Sequence, residues 1–252
     1  MTILALENLT IQFGGLVAVD HVSFGVERGA TFSIIGPNGS GKTTIFNLIS
    51  GIYKPTSGKI HFGDRPIQGL KPHSVADLGI ARTFQNVRLF KRMTVLENAL
   101  VGHHPKIRSR FFDDLFHTPR KRREEKDIEK QAVALLDMFG LNAHADEKAD
   151  NLPYGDQRKL EIVRALAAEP KVILLDEPAA GMNPQETEDL IQLIGQIKDL
   201  GITVVLVEHD MKVVMGISDR ISVLDYGKKI AEGPPDEVKN DEKVIEAYLG
   251  VD

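Results

Sequence analysis

The stretch Gly36-Pro-Asn-Gly-Ser-Gly-Lys-Thr43 matches the pattern G-x-x-x-x-G-K-[ST] at every fixed position. Its three glycines, Gly36, Gly39 and Gly41, lack a Cβ, so the backbone can approach a phosphate and turn consecutive N–H groups toward it. The stretch therefore predicts a phosphate-binding loop.

The residues on either side of the loop agree with this prediction. Thr31–Ile35 is short, apolar and β-branched, which is typical of a buried parallel strand. Residues 43–50 predict a helix whose N-terminus adds partial positive charge and unpaired N–H donors. Lys42 is placed to reach the β- and γ-phosphates, and the Thr43 hydroxyl suits Mg²⁺. The alternative, a chance glycine-rich turn, does not account for a strand before it and a helix after it.

Composition excludes several functions. The formal net charge of −5 over 252 residues argues against nucleic-acid binding through overall positive charge. Cysteine is absent, which excludes disulfides and cysteine-based zinc sites. No apolar run approaches the roughly 18 residues that span a bilayer, and the first residues lack the basic region of a secretory signal. We therefore expect a cytoplasmic protein.

The residues before the loop contain three strand-like pieces, 3–6, 9–13 and 17–26, separated by turn signals. They predict an antiparallel patch beside the nucleotide core. Phe13 has two interpretations: a core residue, or a ring that stacks on adenine, a contact worth roughly 1–3 kcal/mol.

Residues 106–126 carry a surplus of basic side chains with interleaved aromatic residues. They form either a solvated face or a contact with a membrane partner or anionic lipid. Apolar residues then recur at helical spacing from Ile128 to Phe139, which predicts an amphipathic helix.

A second chemical centre follows four apolar residues and begins at Asp176-Glu177. The pattern predicts a buried strand that delivers Asp176 to the ligand-binding edge of a parallel sheet. Asp176 can hold Mg²⁺ through its water shell, and Glu177 can activate an attacking water. A helix cap or surface pair is the alternative. The strand Thr203–Val207 is expected to place His209 at the same edge, where it can contact a γ-phosphate.

These motifs resemble those of ABC transporter ATPase subunits over nearly the whole chain. The resemblance rests, in order, on Phe13, Gly36–Thr43, Gln85, Leu152–Gln157, Asp176-Glu177 and His209. Within the family, Arg82–Gln85, Tyr154–Gln157 with Leu160–Ile162, Glu177–Pro184, Val207–Asp210 and the long basic insertion are similar to the branched-chain amino acid importer branch.

The resemblance implies an α/β fold of the P-loop NTPase type. We expect a mainly parallel sheet, an N-terminal antiparallel β patch and an inserted helical subdomain. Residues 1–85 and 160–252 would form the nucleotide-binding core, and residues 86–159 approximately the insertion with the signature segment.

The resemblance also implies roles for individual residues. The implied catalytic residues are Glu177 as general base, His209 as the γ-phosphate sensor and Lys42. The implied metal ligands are Thr43, Gln85 and Asp176. The implied ATP contacts are Phe13, Gly36, Pro37, Asn38, Gly39, Ser40, Gly41, Lys42, Thr43, Thr44, Gln85, Pro153, Tyr154, Gly155 and Asp156.

The sequence departs from the family pattern in two places. The usual signature Leu-Ser-Gly-Gly-Gln is Leu152-Pro-Tyr-Gly-Asp156 here, which removes a hydroxyl and adds negative charge near an anion. Asn183 stands where the family often has Asp, in the loop that crosses the dimer interface. We expect ATP-driven closure to survive, with weaker phosphate binding at this half-site.

The implied partners are a transmembrane permease, a second ATPase subunit in a homo- or heterodimer and, indirectly, a solute-binding protein. The protein would then sit on the inner face of the membrane, and we expect no nucleic-acid partner. A DNA- or ribosome-directed ATPase would carry a coiled-coil insertion or a second ATPase cassette, and neither appears in this sequence. A regulatory nucleotide-binding module stays open because of the altered signature. A small-molecule kinase would share the phosphate loop, but its function would not explain the signature segment or His209.

Overall fold

A computed structural model describes residues 1–103 and 119–249, with backbone only at 119–122 and 249. The part of the basic segment between residues 106 and 118 lies outside the described residues. The strands are β1 (Thr2–Phe13), β2 (Leu16–Glu27), β3 (Thr31–Ile35), β4 (Ser57–Phe62), β5 (Arg65–Pro66), β6 (Ile80–Arg82), β7 (Val172–Asp176), β8 (Thr203–Val207), β9 (Arg220–Asp225) and β10 (Lys228–Gly233).

The described helices lie between these strands and after the last of them. They are α1 (Lys42–Ile49), α2 (Pro72–Asp77), α3 (Val95–Gly102), α4 (Pro119–Met138), α5 (Tyr154–Leu166), α6 (Pro184–Asp199), α7 (Met211–Ile217), α8 (Pro235–Lys239) and α9 (Glu242–Leu249). Among the described helices, none combines the length and the apolar character that crossing a membrane requires.

Backbone contacts divide the chain into two units. The first contains Met1–Gln85 and the chain from Lys171 onward, and the second contains Asn86–Pro170. The sequence predicts that the inserted subdomain ends at about residue 159, a position that lies inside helix α5 in the structure. Because α5 packs against α3 and α4, the whole helix belongs to the second unit.

The first unit is built around a six-stranded sheet in the order β10-β9-β3-β8-β7-β6. Strands β9, β3, β8, β7 and β6 are parallel, and β10 is antiparallel to β9. Every residue of β3, β7 and β8 is buried, as expected for central parallel strands covered on both faces. The parallel register brings the carboxyl ends of these strands to one edge.

A second, antiparallel sheet in the same unit has the order β2-β1-β4-β5. The predicted antiparallel patch is therefore present, but β1 and β2 are two continuous strands of 12 residues each rather than three pieces. The predicted turns at Gly14-Gly15 and Arg28-Gly29 are present. A register shift between Leu6 and Leu9 carries β1 through the polar break between the first two predicted pieces. The stacked rings of Phe24 and Phe32, with centroids 4.9 Å apart, lie in a core shared by both sheets.

The second unit consists mainly of α3, α4 and α5. Helix α3 begins with a capping box in which Thr94 accepts from the Glu97 N–H and Glu97 accepts from the Thr94 N–H. Gly102 at its end has no room for a Cβ, which would lie 2.3 Å from the Arg164 carbonyl oxygen of α5. The two helices therefore approach closely at this glycine.

Candidate functional site

The phosphate loop joins β3 to α1 in a conformation that requires glycine. Gly41 caps α1 with a φ of 101°, and a Cβ there would lie 2.6 Å from the Ala18 carbonyl oxygen. A Cβ on Gly36 would lie 2.0 Å from the Leu224 carbonyl oxygen. The loop is thus packed against β2 and against the end of β9.

Lys42 lies within this loop and is largely buried. Its Nζ donates to the carbonyl oxygens of Gly36 at 2.7 Å and Pro37 at 2.9 Å. Burial lowers the pKa of the Lys42 ammonium, while the carboxylates of Glu177 and Asp176 act in the opposite direction. The lysine is therefore held by the loop backbone, with two carboxylates near enough to affect its ionisation.

A cavity of about 640 Å³ opens in front of the loop. Its lining is Phe13, Leu16, Val17, Ala18, Asn38, Gly39, Gly41, Lys42, Thr43, Thr44, Gln85, Glu177, Tyr226 and Gly227. A neighbouring cavity of about 620 Å³ is lined in part by Pro37 and Ser40. Most of the loop residues, Phe13, Gln85 and Glu177 are thus brought to one cavity.

The sequence analysis did not find Tyr226 and Gly227 among the lining residues. They form the tip of the β9–β10 hairpin, and the Gly227 N–H donates to the Ser40 carbonyl oxygen at 3.1 Å. The residues Asp225-Tyr-Gly227 are recognisable in the sequence as a turn. No sequence pattern indicates that this turn packs against the phosphate loop.

Phe13 is 45% exposed, so the core interpretation does not hold. Its ring meets the edge of Tyr53, with centroids 5.2 Å apart and an interplanar angle of 71°. The ring therefore lines the cavity as an aromatic surface.

Asp176 ends β7 and is held by a cation that the sequence analysis missed. Its Oδ2 accepts from the guanidinium of Arg82 at 2.9 Å, and its N–H donates to the Thr83 hydroxyl at 3.3 Å. Arg82 also donates to Asn47 at 2.8 Å and Ser50 at 2.9 Å, both on or beside α1. The arginine thereby joins the end of β7 to the helix that follows the phosphate loop.

Glu177 follows Asp176 with a φ of 47°, a left-handed conformation that is unusual for this residue type. Its N–H donates to the Val207 carbonyl oxygen at 2.8 Å, and its Oε2 accepts from Gln85 Nε2 at 3.0 Å. The same oxygen lies 3.9 Å from Nδ1 of His209. The structure thus gathers Glu177, Gln85 and His209 at one sheet edge.

The signature residues lie in the second unit, at the start of α5. Pro153 is the N-cap residue, Tyr154 is 45% exposed, and Gly155 is buried. Asp156 lies in the first turn, with its Oδ1 3.2 Å from Nζ of Lys159. The negative charge of Asp156 is therefore partly balanced by a neighbouring lysine.

Asn183 is the N-cap of α6. Its side-chain oxygen accepts from the N–H groups of Gln185 at 2.9 Å and Glu186 at 3.0 Å. Glu186 returns a capping-box bond to the Asn183 N–H. Asparagine therefore performs the local capping that an aspartate would perform.

The residues present fit a Mg²⁺ ion bound together with a nucleotide. Thr43 and Gln85 line the same cavity, and hydroxyl, amide and carboxylate oxygens are the ligands that Mg²⁺ prefers. Among the described residues, no group of three His, Asp or Glu forms a metal site by itself. That pattern suits an ion that takes its remaining ligands from phosphate oxygens and water.

The loop between β3 and α1, the carboxylates after β7 and the histidine after β8 define a P-loop nucleotide-binding protein. Residues 19–180 match the family model described as ABC transporter, and residues 228–252 match a model described as branched-chain amino acid ATP-binding cassette transporter. The chain belongs to the ABC transporter family, which confirms the family resemblance.

Individual relatives agree with this assignment. The chain is 47% identical to the high-affinity branched-chain amino acid transport ATP-binding protein LivG of Salmonella typhimurium, over 98% of each chain. An ATP-binding cassette of an ABC transporter in its ADP conformation is 36% identical over 100% of each chain, with a TM-score of 0.87. A dimeric cassette with bound ADP and phosphate is 29% identical over 92% of this chain and 98% of that chain, with a TM-score of 0.77. The predicted fold class is confirmed.

Proposed function

We propose that this chain is the ATP-hydrolysing subunit of an ABC importer and that it energises uptake of branched-chain amino acids through a separate membrane permease. The observation that carries the proposal is the placement of the Glu177 carboxylate, bonded to Gln85, in the cavity in front of the phosphate loop. The solute class is supported by the name of the relative that is 47% identical.

The residues of the first unit bind the nucleotide in this proposal. Phe13 stacks on the adenine. The backbone N–H groups of residues 38–44 and the Lys42 ammonium donate to the phosphates at the N-terminus of α1. Thr43, Gln85 and Asp176 would hold Mg²⁺, which when bound would neutralise charge on the phosphate oxygens.

Glu177 and His209 act on the reacting groups. Glu177 orients the attacking water and takes its proton as the water oxygen bonds to the γ-phosphorus and the bond to the ADP oxygen breaks. The Gln85 N–H fixes Oε2 of Glu177. His209, whose Nδ1 lies 3.9 Å from that oxygen, senses the γ-phosphate in this proposal. The products are ADP and phosphate.

Transport follows from the affinity of ATP for one conformation. In the closed dimer, residues 153–156 of one subunit cover the ATP held by the other, and the N-terminus of α5 adds its partial positive charge. ATP shifts the equilibrium toward this state because it bridges two subunits only there, and hydrolysis removes the bridge. Gln85 links the site to a permease that holds the subunit at the inner face of the membrane.

The first experiment uses Glu177→Gln, which keeps the shape of the side chain but not its basicity. We expect the variant to bind ATP, to lose turnover and to form an ATP-dependent dimer in light scattering. Glu188→Gln is the control, because Glu188 is an exposed residue of α6 paired with Lys212. Native turnover in Glu177→Gln would refute the base assignment.

The solute is tested by uptake. Cells that depend on this subunit should lose leucine uptake when they carry Glu177→Gln and retain it with Glu188→Gln. Unchanged leucine uptake, together with lost ATP turnover, would show that the subunit serves another solute.

The altered signature favours a second candidate, a regulatory nucleotide-binding module. Pro153 and Asp156 remove one phosphate ligand and add one negative charge. In that case the protein would bind ATP with no turnover, even with the permease present. Measurable ATP turnover would exclude this candidate.

A further inference from the structure

Glu208 is a glutamate with no solvent exposure, located between β8 and His209. A carboxylate in the interior is costly unless hydrogen bonds compensate for the lost water. The mechanism proposed above makes no use of this residue, and the sequence analysis assigned it no role.

The Glu208 carboxylate accepts three backbone hydrogen bonds. Oε1 accepts from the Ala179 N–H at 2.8 Å, and Oε2 accepts from the N–H groups of His209 at 2.9 Å and Asp210 at 3.2 Å. Hydrogen bonds to an ionised carboxylate are about twice as strong as neutral ones. One side chain thus joins two loops, the one after β7 and the one after β8.

The loop after β7 is the one that contains the strained residue Glu177. A left-handed non-glycine residue is strained and persists only where its surroundings hold it. Here the Glu177 N–H is held by the Val207 carbonyl, and the Ala179 N–H is held by Glu208. The segment from Glu177 to Ala179 is therefore fixed at both ends by two consecutive residues, the last residue of β8 and Glu208.

We propose that Glu208 is a positioning residue that holds Glu177 and His209 at their mutual distance of 3.9 Å. This inference rests on the proposed catalytic roles of Glu177 and His209. Glu208 acts through the backbone N–H groups of both loops, and its Oε2 also lies 3.7 Å from Nδ1 of His209. Both carboxylate oxygens take part as acceptors.

Glutamine cannot replace this carboxylate. It offers one acceptor oxygen, and in either orientation its NH₂ group faces at least one backbone N–H. One of the two loops then loses its anchor, while the volume of the side chain stays the same.

The test compares Glu208→Gln with the wild type in two measurements. In nucleotide-free protein, we expect amide hydrogen exchange to rise about tenfold or more at Ala179, His209 or Asp210, because a charge-assisted bond is lost. In steady-state kinetics, we expect kcat to fall about tenfold or more, with KM for ATP changed less than about threefold.

Glu232→Gln is the matched control. Glu232 is a mostly buried glutamate in the same unit that bonds to Arg220 and Lys229 on the strands β9 and β10. The control removes a paired, partly buried charge on β10, which is four strands from β7 in the sheet order. It should leave kcat and the exchange of the three amides unchanged.

Unchanged exchange at all three amides would overturn the proposal, and so would the same rise throughout the chain, because that would indicate a general loss of stability. If Glu208→Gln does not fold, Glu208→Asp keeps the charge but cannot reach both loops, and it should show the same local exchange and kcat loss. The exchange result does not depend on turnover. Native turnover in Glu177→Gln would refute the assignment of Glu177 as the general base and leave this measurement intact.

Discussion

The guanidinium of Arg82 and the carboxylate of Asp176 form an ion pair of 2.9 Å, with side chains that are 8% and 3% exposed. The pair joins the ends of β6 and β7, which are parallel neighbours. The guanidinium also lies over the rings of Phe46 and Phe84, at 5.5 and 5.2 Å from their centroids. Asp176, the expected metal-shell residue, is therefore oriented by a cation that is itself fixed by packing.

The first prediction concerns this pair. Arg82→Met should lower the free energy of unfolding by about 3–5 kcal/mol, because it leaves a buried carboxylate without its cation. Urea denaturation of nucleotide-free protein measures the change. Lys212→Met is the control, since it breaks the exposed pair with Glu188 and should cost less than about 1 kcal/mol. Equal losses in the two variants would contradict the prediction.

The second prediction concerns adenine stacking by Phe13. Phe13→Ala should weaken ATP binding by roughly 5- to 150-fold, the equivalent of one lost base–aromatic stack. Phe13→Trp should retain the affinity because it keeps an aromatic face. Isothermal titration calorimetry with ATP checks both variants. An alanine variant that binds as tightly as the wild type would remove Phe13 from the site.

The third prediction concerns the pH dependence of stability at Glu232. Burial raises the pKa of this carboxyl, but hydrogen bonds from Lys229 and Arg220 outweigh burial and lower the pKa below its ordinary value of 4.5. The unfolded state then binds more protons at acid pH, so the stabilisation is present above the ordinary value and is lost as the pH falls below it.

The measurement for Glu232 is the difference in unfolding free energy between the wild type and Glu232→Gln. The difference should be about 1 kcal/mol at neutral pH and should shrink as the pH falls below about 4.5. A difference that stays constant through this range would show that the charge of Glu232 does not contribute.

The fourth prediction concerns Asn183 at the start of α6. Asn183→Ala should lower the free energy of unfolding by about 1 kcal/mol, because two N–H groups lose their acceptor. Asn183→Asp should keep the cap, since a carboxylate accepts the same bonds. Thermal unfolding distinguishes the two variants, and a destabilised Asn183→Asp would mean that the amide N–H group is also needed.

Particular elements explain why sequence reasoning located some features and not others. The strands β3, β7 and β8 were predicted because fully buried parallel strands are continuous apolar runs. Strands β1 and β2 were predicted as pieces because bulges and polar positions interrupt their alternation. The second unit extends to Pro170 in the structure rather than to about residue 159, because helix packing, not composition, assigns α5 to that unit.

The sequence by itself determined the phosphate loop, the strand that ends in Asp176-Glu177 and the order of the motifs, because each depends on residues adjacent in the chain. Only the tertiary structure decided that Arg82 pairs with Asp176, that Tyr226 lines the nucleotide cavity and that Glu208 bonds to the Ala179 N–H. The first and the last of these contacts join residues 94 and 29 positions apart. The strand order of the sheet and the need to satisfy buried charge determine which residues meet in these contacts. No local sequence pattern shows either of them.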